Sequence, residues 1–528
     1  MVLGMIFRFS GLGQKIYWID ETYTSLRIAG YSETELVAEV YDGDVLTVAD
    51  LYRYQQPQRP WRDTLRSLTD SPQHPPLYFL IGRVWTQFWG SDTLSPIPLR
   101  SLSALFSLLI FPAVYWLGQE LFEQPEPRWL AIAFVAVSPF QVLYAQEARQ
   151  YSLWMVLTIA SGATLLRAMR HKQPPNNWLN WGLYALLLTT SFYTFLLTAM
   201  VALSHGAIVA VASWRDRSTR LLWPYLLASA GAIALFSPWL WVMAVHARRV
   251  TSTASWVSER FSLDWLILRW LLYPINQFLD LNLGDRYLTS PAIVLMLAIA
   301  ILIAYSIYWT AVHAPTITAR YLVLTASIPA LLFILPDVVL GGQRSGTARY
   351  MMPVYFSLLL AVAYTLAERS RQKPHPIRWR ILTVALLSCG ILSCGISRSA
   401  TLWWNKSPDK HLHNDRIVAA VQDVIIEGDR PILVSDDSTE LSDCYACRML
   451  TLSYELPPDL RLQLVQSPHI PTLPTDARTV LVFSPDRALV REIERQGFRA
   501  DLRFEEDNFW LWELRRYSVG FTTAPSKM

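Results

Sequence analysis

The sequence predicts an all-α polytopic membrane protein that ends in a small C-terminal α/β extramembrane domain, and three observations predict it. Of 528 residues, 52% are hydrophobic and 17% charged, against roughly 25% charged in a soluble domain. Charge-poor apolar runs long enough to cross a bilayer recur as far as residue 400. Beyond that point the chain changes to mixed charge, Pro-rich joints and short apolar runs. This composition excludes a disordered, collagen-like or disulfide-scaffold protein and argues against a cytosolic enzyme. The net charge of +4 is spread over the whole chain and makes no electrostatic footprint for nucleic acid. Four cysteines are too few for a disulfide framework. Cys444 and Cys447 lie in a polar segment, where they either pair in an oxidising compartment or stay two ordinary thiols.

A membrane-crossing helix takes about 20 mainly apolar residues, because hydrocarbon offers the backbone no hydrogen-bond partner. Runs 222–245, 291–311, 350–367 and 381–397 meet that need most clearly. Further candidates are 98–118, 129–146, 150–166, 178–191, 193–213 and 321–340. The first apolar stretch, 1–9, is too short to cross and reads as a truncated span or an interfacial stub; with no basic segment before it, it is not a signal peptide.

Basic residues in short loops stay on the cytoplasmic side. Such loops hold Arg167, Arg170 and Lys172; Arg215, Arg217 and Arg220; and Arg369, Arg371, Lys373, Arg378 and Arg380. With these inside, residues 20–97, the linkers near 192, 247–290 and 341–349, and the tail from 400 face outward, provided that 74–90 does not cross. That stretch carries Arg83 in its middle with Trp85 and Trp89, and is read as a helix lying in the outer interface. The expected organisation is a transmembrane domain over 1–399 in the inner (plasma) membrane and a periplasmic or otherwise extracytoplasmic domain over 400–528.

In the tail, Ile417, Val418, Val421, Val424 and Ile425 repeat at helical spacing, 431–435, 479–483 and 509–513 read as strands, and 486–496 suits a helix. The tail has no Gly-rich phosphate loop, zinc spacing or nucleophile elbow. A cap or docking module is the plain reading.

Residues with chemistry cluster on the expected outer face. Asp20 and Glu21 follow the presumed end of the first helix, where they either act chemically or merely favour a helix N-terminus. His74-Pro75-Pro76-Leu77-Tyr78 starts the interfacial helix with fixed backbone angles. Ser138-Pro139 leads to Gln146-Glu147-Ala148-Arg149-Gln150-Tyr151, whose polar side chains at membrane depth need partners or a wet cavity. Glu147 and Arg149 either pair to lock that turn or meet a ligand. Arg349-Tyr350 enters a span from outside, where an arginine can also snorkel to lipid phosphate. Asp42-Gly43-Asp44 is read as a solvated turn, and His246 as an interfacial histidine. Residues 247–290, with Trp256, Trp265, Trp270, Arg260 and Arg269, form an amphipathic segment able to gate ligand entry.

In this order the clusters resemble the membrane glycosyltransferases of family 39, the protein O-mannosyltransferase-like and aminoarabinose-transferase-like enzymes with the C-type glycosyltransferase fold. The resemblance covers roughly residues 15–400. Here His-Pro-Pro-Leu is followed by Tyr78-Phe79, where the protein mannosyltransferases have Gly-Lys.

The resemblance implies transfer of a sugar from a polyprenyl-phosphate carrier to a glycan, lipid or protein acceptor. Asp20 matches the family's catalytic acid and is assigned as general base, with Glu21 orienting its neighbours. Arg149, Arg349 and His74 are assigned to the donor phosphate, supported by Glu147, Tyr151 and Tyr350. Direct attack on the anomeric carbon inverts its configuration. No cofactor is assigned, although a divalent metal held by His74 and an acid is compatible with the scheme. Two other classes fit many spans: a transporter or flippase of lipid-linked substrates, which should carry ionisable groups near mid-bilayer, and a membrane-anchored binding or sensor protein. Against the former, Asp337 is the one late-span acid and lies near an outer end.

Overall fold

A computed structural model gives the architecture. It describes residues 1–516 except 91–94, 171–175, 254, 284–290, 373–375, 403–413, 428, 438–444, 484–486 and 507–508. Cys444 and the side chain of Cys447 lie outside the described residues. The chain forms two compact units interleaved in sequence: Met1–Lys15, Leu68–Trp89 and Pro96–Asn405 make one, and Ile16–Ser67, Gly90–Ser95 and Lys406–Met528 the other.

The first unit is helical. Among the described residues seven helices are long and apolar enough to cross a membrane, or eight if one bent pair counts as a span. The chain is thus a multi-pass membrane protein. Tyr151–Arg170 and Ala348–Arg369 are buried over most of their length, whereas Leu222–Val245 and Pro376–Ser399 are mostly exposed. Exposed Leu226, Ile233, Leu235 and Trp241 on one of these outer helices are apolar, as a lipid-facing surface requires. Asn176–Phe192 and Thr198–Arg215 fall outside the seven. The first is short, and the second is diluted by Ser204, His205 and Ser213.

The run 129–146, read above as one span, is broken: Pro125–Val137 and Pro139–Ala145 meet at 59°. Ser138 causes the break by capping the second helix, its Oγ accepting from the Gln141 N–H at 3.3 Å, with Pro139 at a first-turn position that needs no N–H donor. The carbonyls released at the end of the first helix are met by Arg8, which donates to Val135 at 3.0 Å and Ala136 at 3.2 Å. Arg8 belongs to the short helix Val2–Phe9 and is fully buried. Nearby, Arg100 donates to the carbonyls of Leu12 and Lys15 at 2.7 and 2.9 Å.

The helix expected over 74–90 is Leu77–Trp89. Arg83, expected at the lipid boundary, is instead buried. Trp85 also turns inward, its Nε1 donating to the Pro98 carbonyl at 2.9 Å. Phe88 and Trp89 are exposed.

The second unit is an α/β sandwich around a six-stranded sheet. Its strands are β1 (Asp42–Thr47), β2 (Ile432–Asp436), β3 (Arg461–Val465), β4 (Thr479–Phe483), β5 (Phe498–Glu506) and β6 (Phe509–Arg516). Their order is β1-β3-β2-β4-β6-β5. β2, β3 and β4 are parallel, and the flanking pairs are antiparallel. Successive side chains of a strand point to opposite faces, and both faces are filled. Leu433, Leu462, Leu464 and Leu481 pack with Ile417, Val421 and Val424 of the helix Asn414–Ile426. Ile432, Val434, Val480 and Val482 pack with Leu489, Val490 and Ile493 of Arg487–Arg495.

The boundary expected at 400 therefore does not describe the sheet, whose first strand comes from the early loop. Leu26, Leu36, Val40, Val48 and Leu51 complete the first of those two faces. Hydrogen bonds join the same segments: the Val48 N–H donates to the Leu460 carbonyl at 3.0 Å, and Gln463 Nε2 to the Gly43 carbonyl at 2.8 Å. Asp42-Gly43-Asp44, expected as a solvated turn, is instead a bulged start of the edge strand β1: the register shifts between Asp42 and Val45, the Asp44 N–H donates to Asp42 Oδ1 at 2.9 Å, and Gly43 lies at φ 90°.

Candidate active site

The acidic pair opens the helix Ile19–Ala29 of the second unit. Asp20 is half-buried and Glu21 fully buried. The Glu21 carboxylate folds back and accepts from the Trp18 N–H at 3.1 Å, satisfying a donor at the helix entrance. Glu21 thus holds the helix start. Further down the helix, Ser25 Oγ donates to Gln55 Oε1 at 2.9 Å, and Gln55 Nε2 donates to the Leu450 carbonyl at 3.2 Å. The ring of Tyr17 lies 4.2 Å from that of Tyr454. Gly30, at φ 95°, ends the helix where an added Cβ would meet the Asp63 side chain at 3.2 Å.

The remaining candidates belong to the helical unit. The turn between Pro139–Ala145 and Tyr151–Arg170 carries Glu147, Arg149, Gln150 and Tyr151, all buried. It is tight, with the Arg149 N–H on the Glu147 carbonyl at 2.7 Å, and Ser152 Oγ donates to the Tyr144 carbonyl at 2.9 Å. Ser103 Oγ donates to the Arg149 carbonyl at 3.2 Å and shares a 2.7 Å hydrogen bond with the Tyr78 hydroxyl. Tyr78 closes the His-Pro-Pro-Leu-Tyr motif, so two sequence clusters meet through one serine. His74 is half-buried, its ring 6.2 Å from Phe79. The motif is anchored on both sides, by the Leu77 N–H on the Tyr193 carbonyl at 3.0 Å and Trp239 Nε1 on the Pro72 carbonyl at 3.1 Å.

Arg349 and Tyr350 join the same neighbourhood through aromatic rings. The Arg149 guanidinium lies 5.8 Å from the Tyr151 ring, Tyr151 stands 5.7 Å from Phe195, and Phe195 stands 6.3 Å from Tyr350. The Arg349 guanidinium lies 5.4 Å from the ring of Trp256 and 5.6 Å from that of Tyr350, distances at which a cation feels the ring quadrupole. Glu147 and Arg349 both lie within electrostatic reach of the Tyr144 hydroxyl. Two arginines, a glutamate and several tyrosines therefore share one part of the helical unit.

The loop before Arg349 is held by Asp337, whose buried carboxylate takes Arg344 at 3.0 Å and both the N–H and the hydroxyl of Ser345 at 2.6 Å. The outer segment packs on this loop: Gln343 donates to Val257 and Trp256 carbonyls at 3.0 and 2.9 Å, and Trp270 Nε1 to Ser345 Oγ at 3.0 Å. Sequence reading missed Tyr144, Ser103 and the Asp337 clamp. Only the last had a visible signal, an acid at the end of a span seven residues before an arginine. His246 caps its own helix, Nδ1 lying 3.0 Å from the Val242 carbonyl. Among the described residues, no group of three or more His, Cys, Asp or Glu side chains converges as a metal ligand set does.

Comparison with known proteins agrees with this architecture. Residues 73–242 match the family described as dolichyl-phosphate-mannose-protein mannosyltransferase. That segment holds His74, Arg149 and Tyr151. No curated protein matches the chain. Among solved structures, ArnT from Cupriavidus metallidurans bound to undecaprenyl phosphate is similar over 98% of this chain and 96% of its own, at 10% identity and a TM-score of 0.53. The apo state of that protein is similar over 97% and 96%, again at 10% identity and 0.53. The chain accordingly has the ArnT-like C-type glycosyltransferase fold, and its residues 73–242 carry the pattern of the mannosyltransferase family.

Proposed function

We propose that the chain is a glycosyltransferase that moves a sugar from a polyprenyl-phosphate donor to an acceptor hydroxyl at the outer membrane face. The observation that carries this reading is the gathering of Arg149, Glu147, Tyr151, Arg349 and Tyr350 within the helical unit. ArnT, which shares the fold, is described with undecaprenyl phosphate bound. An isoprenoid tail dissolves in the bilayer, so such a donor needs no nucleotide-binding domain.

The chemistry divides between the residues as follows. An acceptor hydroxyl is a poor nucleophile until a base removes its proton, and Asp20 is that base. The acceptor oxygen attacks the anomeric carbon from the side opposite the phosphate, the carbon–oxygen bond to phosphate breaks, and the product is inverted. The phosphate leaves with added negative charge, which Arg149 and Arg349 stabilise through charge-assisted hydrogen bonds. Glu147 fixes the turn that carries Arg149, His74 hydrogen-bonds the phosphate or the acceptor, and Tyr151 and Tyr350 wall the donor. Glu21 positions Asp20 through the helix start.

The test is transfer by the purified full chain in lipid nanodiscs, given radiolabelled polyprenyl-phosphate sugars and cell-envelope acceptors. Wild type is expected to label one acceptor class, and Asp20→Asn to lower the rate by about a hundredfold or more. Undiminished labelling by Asp20→Asn would remove Asp20 from the chemistry. Donor binding without transfer by wild type would favour a carrier of lipid-linked substrates.

A further inference from the structure

The turn between the helices Thr198–Arg215 and Leu222–Val245 bears an open cleft of about 720 Å³, lined by Ser213, Trp214, Arg215, Arg217, Ser218 and Thr219 together with the apolar Ala210 and Leu222. The lining joins apolar surface to groups that suit an anion: two guanidinium groups and the hydroxyls of Ser218 and Thr219. Nothing in the reaction described above uses it.

Three observations give the cleft a ligand. First, Ser213 is 8% exposed, and its Oγ is buried with no hydrogen-bond partner. A helical serine ordinarily bonds back to the preceding turn, and a buried hydroxyl without a partner is uncommon. Second, Arg217 sits at φ 45° in a Schellman turn, with the Ser218 N–H on the Ser213 carbonyl at 3.0 Å and the Arg217 N–H on the Trp214 carbonyl at 3.3 Å. Glycine takes this position without strain; here the strained backbone places a guanidinium at the cleft.

Third, positive charge is in excess. In the other basic loops Arg170 pairs with Glu120 at 3.4 Å and Arg371 with Glu126 at 3.5 Å. Among the described residues Arg215, Arg217 and Arg220 enter no ion pair. Arg320, from the helix Thr316–Leu340, adds a further positive charge within electrostatic reach of Arg215. The nearby carboxylate, Asp216, lies within reach of Arg320 but does not line the cleft.

We propose that this cleft binds the phosphodiester headgroup of an anionic phospholipid. Arg215 and Arg217 hold the phosphate oxygens, and the Ser218 and Thr219 hydroxyls line the same cleft. Trp214 and Trp223 are 81% and 63% exposed and flank the site as indoles at a headgroup boundary do. Basic pockets between membrane helices recognise anionic headgroups in this manner. A soluble phosphate shares the anion but has no acyl chains to lie beside these indoles. The inference is independent of the transfer reaction.

The experiment titrates the purified full-length protein in detergent with phosphatidylglycerol or phosphatidylcholine, and counts bound lipid by native mass spectrometry. Wild type is expected to hold phosphatidylglycerol about tenfold more tightly than phosphatidylcholine, and excess inorganic phosphate should not displace it. Arg215→Gln with Arg217→Gln should abolish the preference, whereas Arg371→Gln should keep it. Arg217→Gly guards against misfolding, because it relieves the left-handed backbone while removing the guanidinium: its thermal midpoint should match or exceed wild type while the preference falls severalfold. Equal binding of the two lipids, full displacement by inorganic phosphate, or an undiminished preference in Arg217→Gly would each overturn the proposal.

Discussion

Asp337 and Arg344 form an ion pair at 3.0 Å in which the carboxylate is fully buried and the guanidinium largely so. With Ser345 as a second donor to the same carboxylate, the pair closes the loop that delivers Arg349. An added Cβ at Gly342 would fall 2.6 Å from Asp337 Oδ1 and 2.3 Å from Arg344 Nη1, so only glycine fits where the loop passes the pair. Asp337→Asn leaves Arg344 without its charge partner. We expect a loss of about 2 to 4 kcal/mol, read as a lower thermal midpoint, with a larger fall in transfer rate than in donor binding. Replacing Asp337 and Arg344 together by leucine should restore most of the midpoint and not the rate.

The Tyr78 hydroxyl reaches the Arg149 backbone through Ser103. Tyr78→Phe removes one hydrogen bond, worth about 1 kcal/mol, and leaves the ring in place. We expect a folded protein whose KM for the lipid donor rises severalfold, measured by varying the donor at fixed acceptor. Ser103→Ala removes both bonds and should cost more. A KM unchanged in both variants would show that the two motifs act separately.

The Glu21 carboxylate accepts from the Trp18 N–H. A glutamine retains a carbonyl oxygen able to accept from the Trp18 N–H, so Glu21→Gln should keep both fold and activity within a few-fold. Glu21→Ala loses the cap, at about 1 kcal/mol, and should lower stability and rate together. If Glu21→Gln were as inactive as Asp20→Asn, Glu21 would have to be assigned to the chemistry itself.

These sites show which parts of the molecule a sequence exposes. Gln146 to Tyr151 and His74 to Tyr78 are contiguous, so their polarity stands out against apolar surroundings. Trp256 and Arg349 meet only through the tertiary fold, and nothing local announces their contact. The cap formed by Glu21 was hidden because the residue three before it is Trp18, not the Ser or Thr of a capping box. Strand β1 escaped because Asp42 to Thr47 is a polar edge whose partner lies more than 400 residues away, as the pairing of Asp42 with Val465 shows. Strand β5 left a signal that was passed over: Phe498, Ala500, Leu502 and Phe504 alternate at a strand's period of two.

In the second unit, burial pushes the Glu455 carboxyl up from 4.5 to about 7, the nearby Asn414 side chain opposes the rise, and the Asp415 charge adds to it. A carboxyl raised in this way binds more protons folded than unfolded between those two values. Its stabilising contribution is therefore fully present below about pH 4.5, declines as pH rises, and is lost above about 7. The whole swing is roughly 3 kcal/mol. Glu455→Gln stays neutral throughout and should flatten this part of the profile, melting near the wild-type midpoint at pH 4.5 and above it at pH 8. Thermal unfolding of the full chain across that range, followed by the fluorescence of its tryptophans, measures the difference. A wild-type minus variant difference that does not change with pH would place Glu455 in contact with water and leave it an ordinary surface acid.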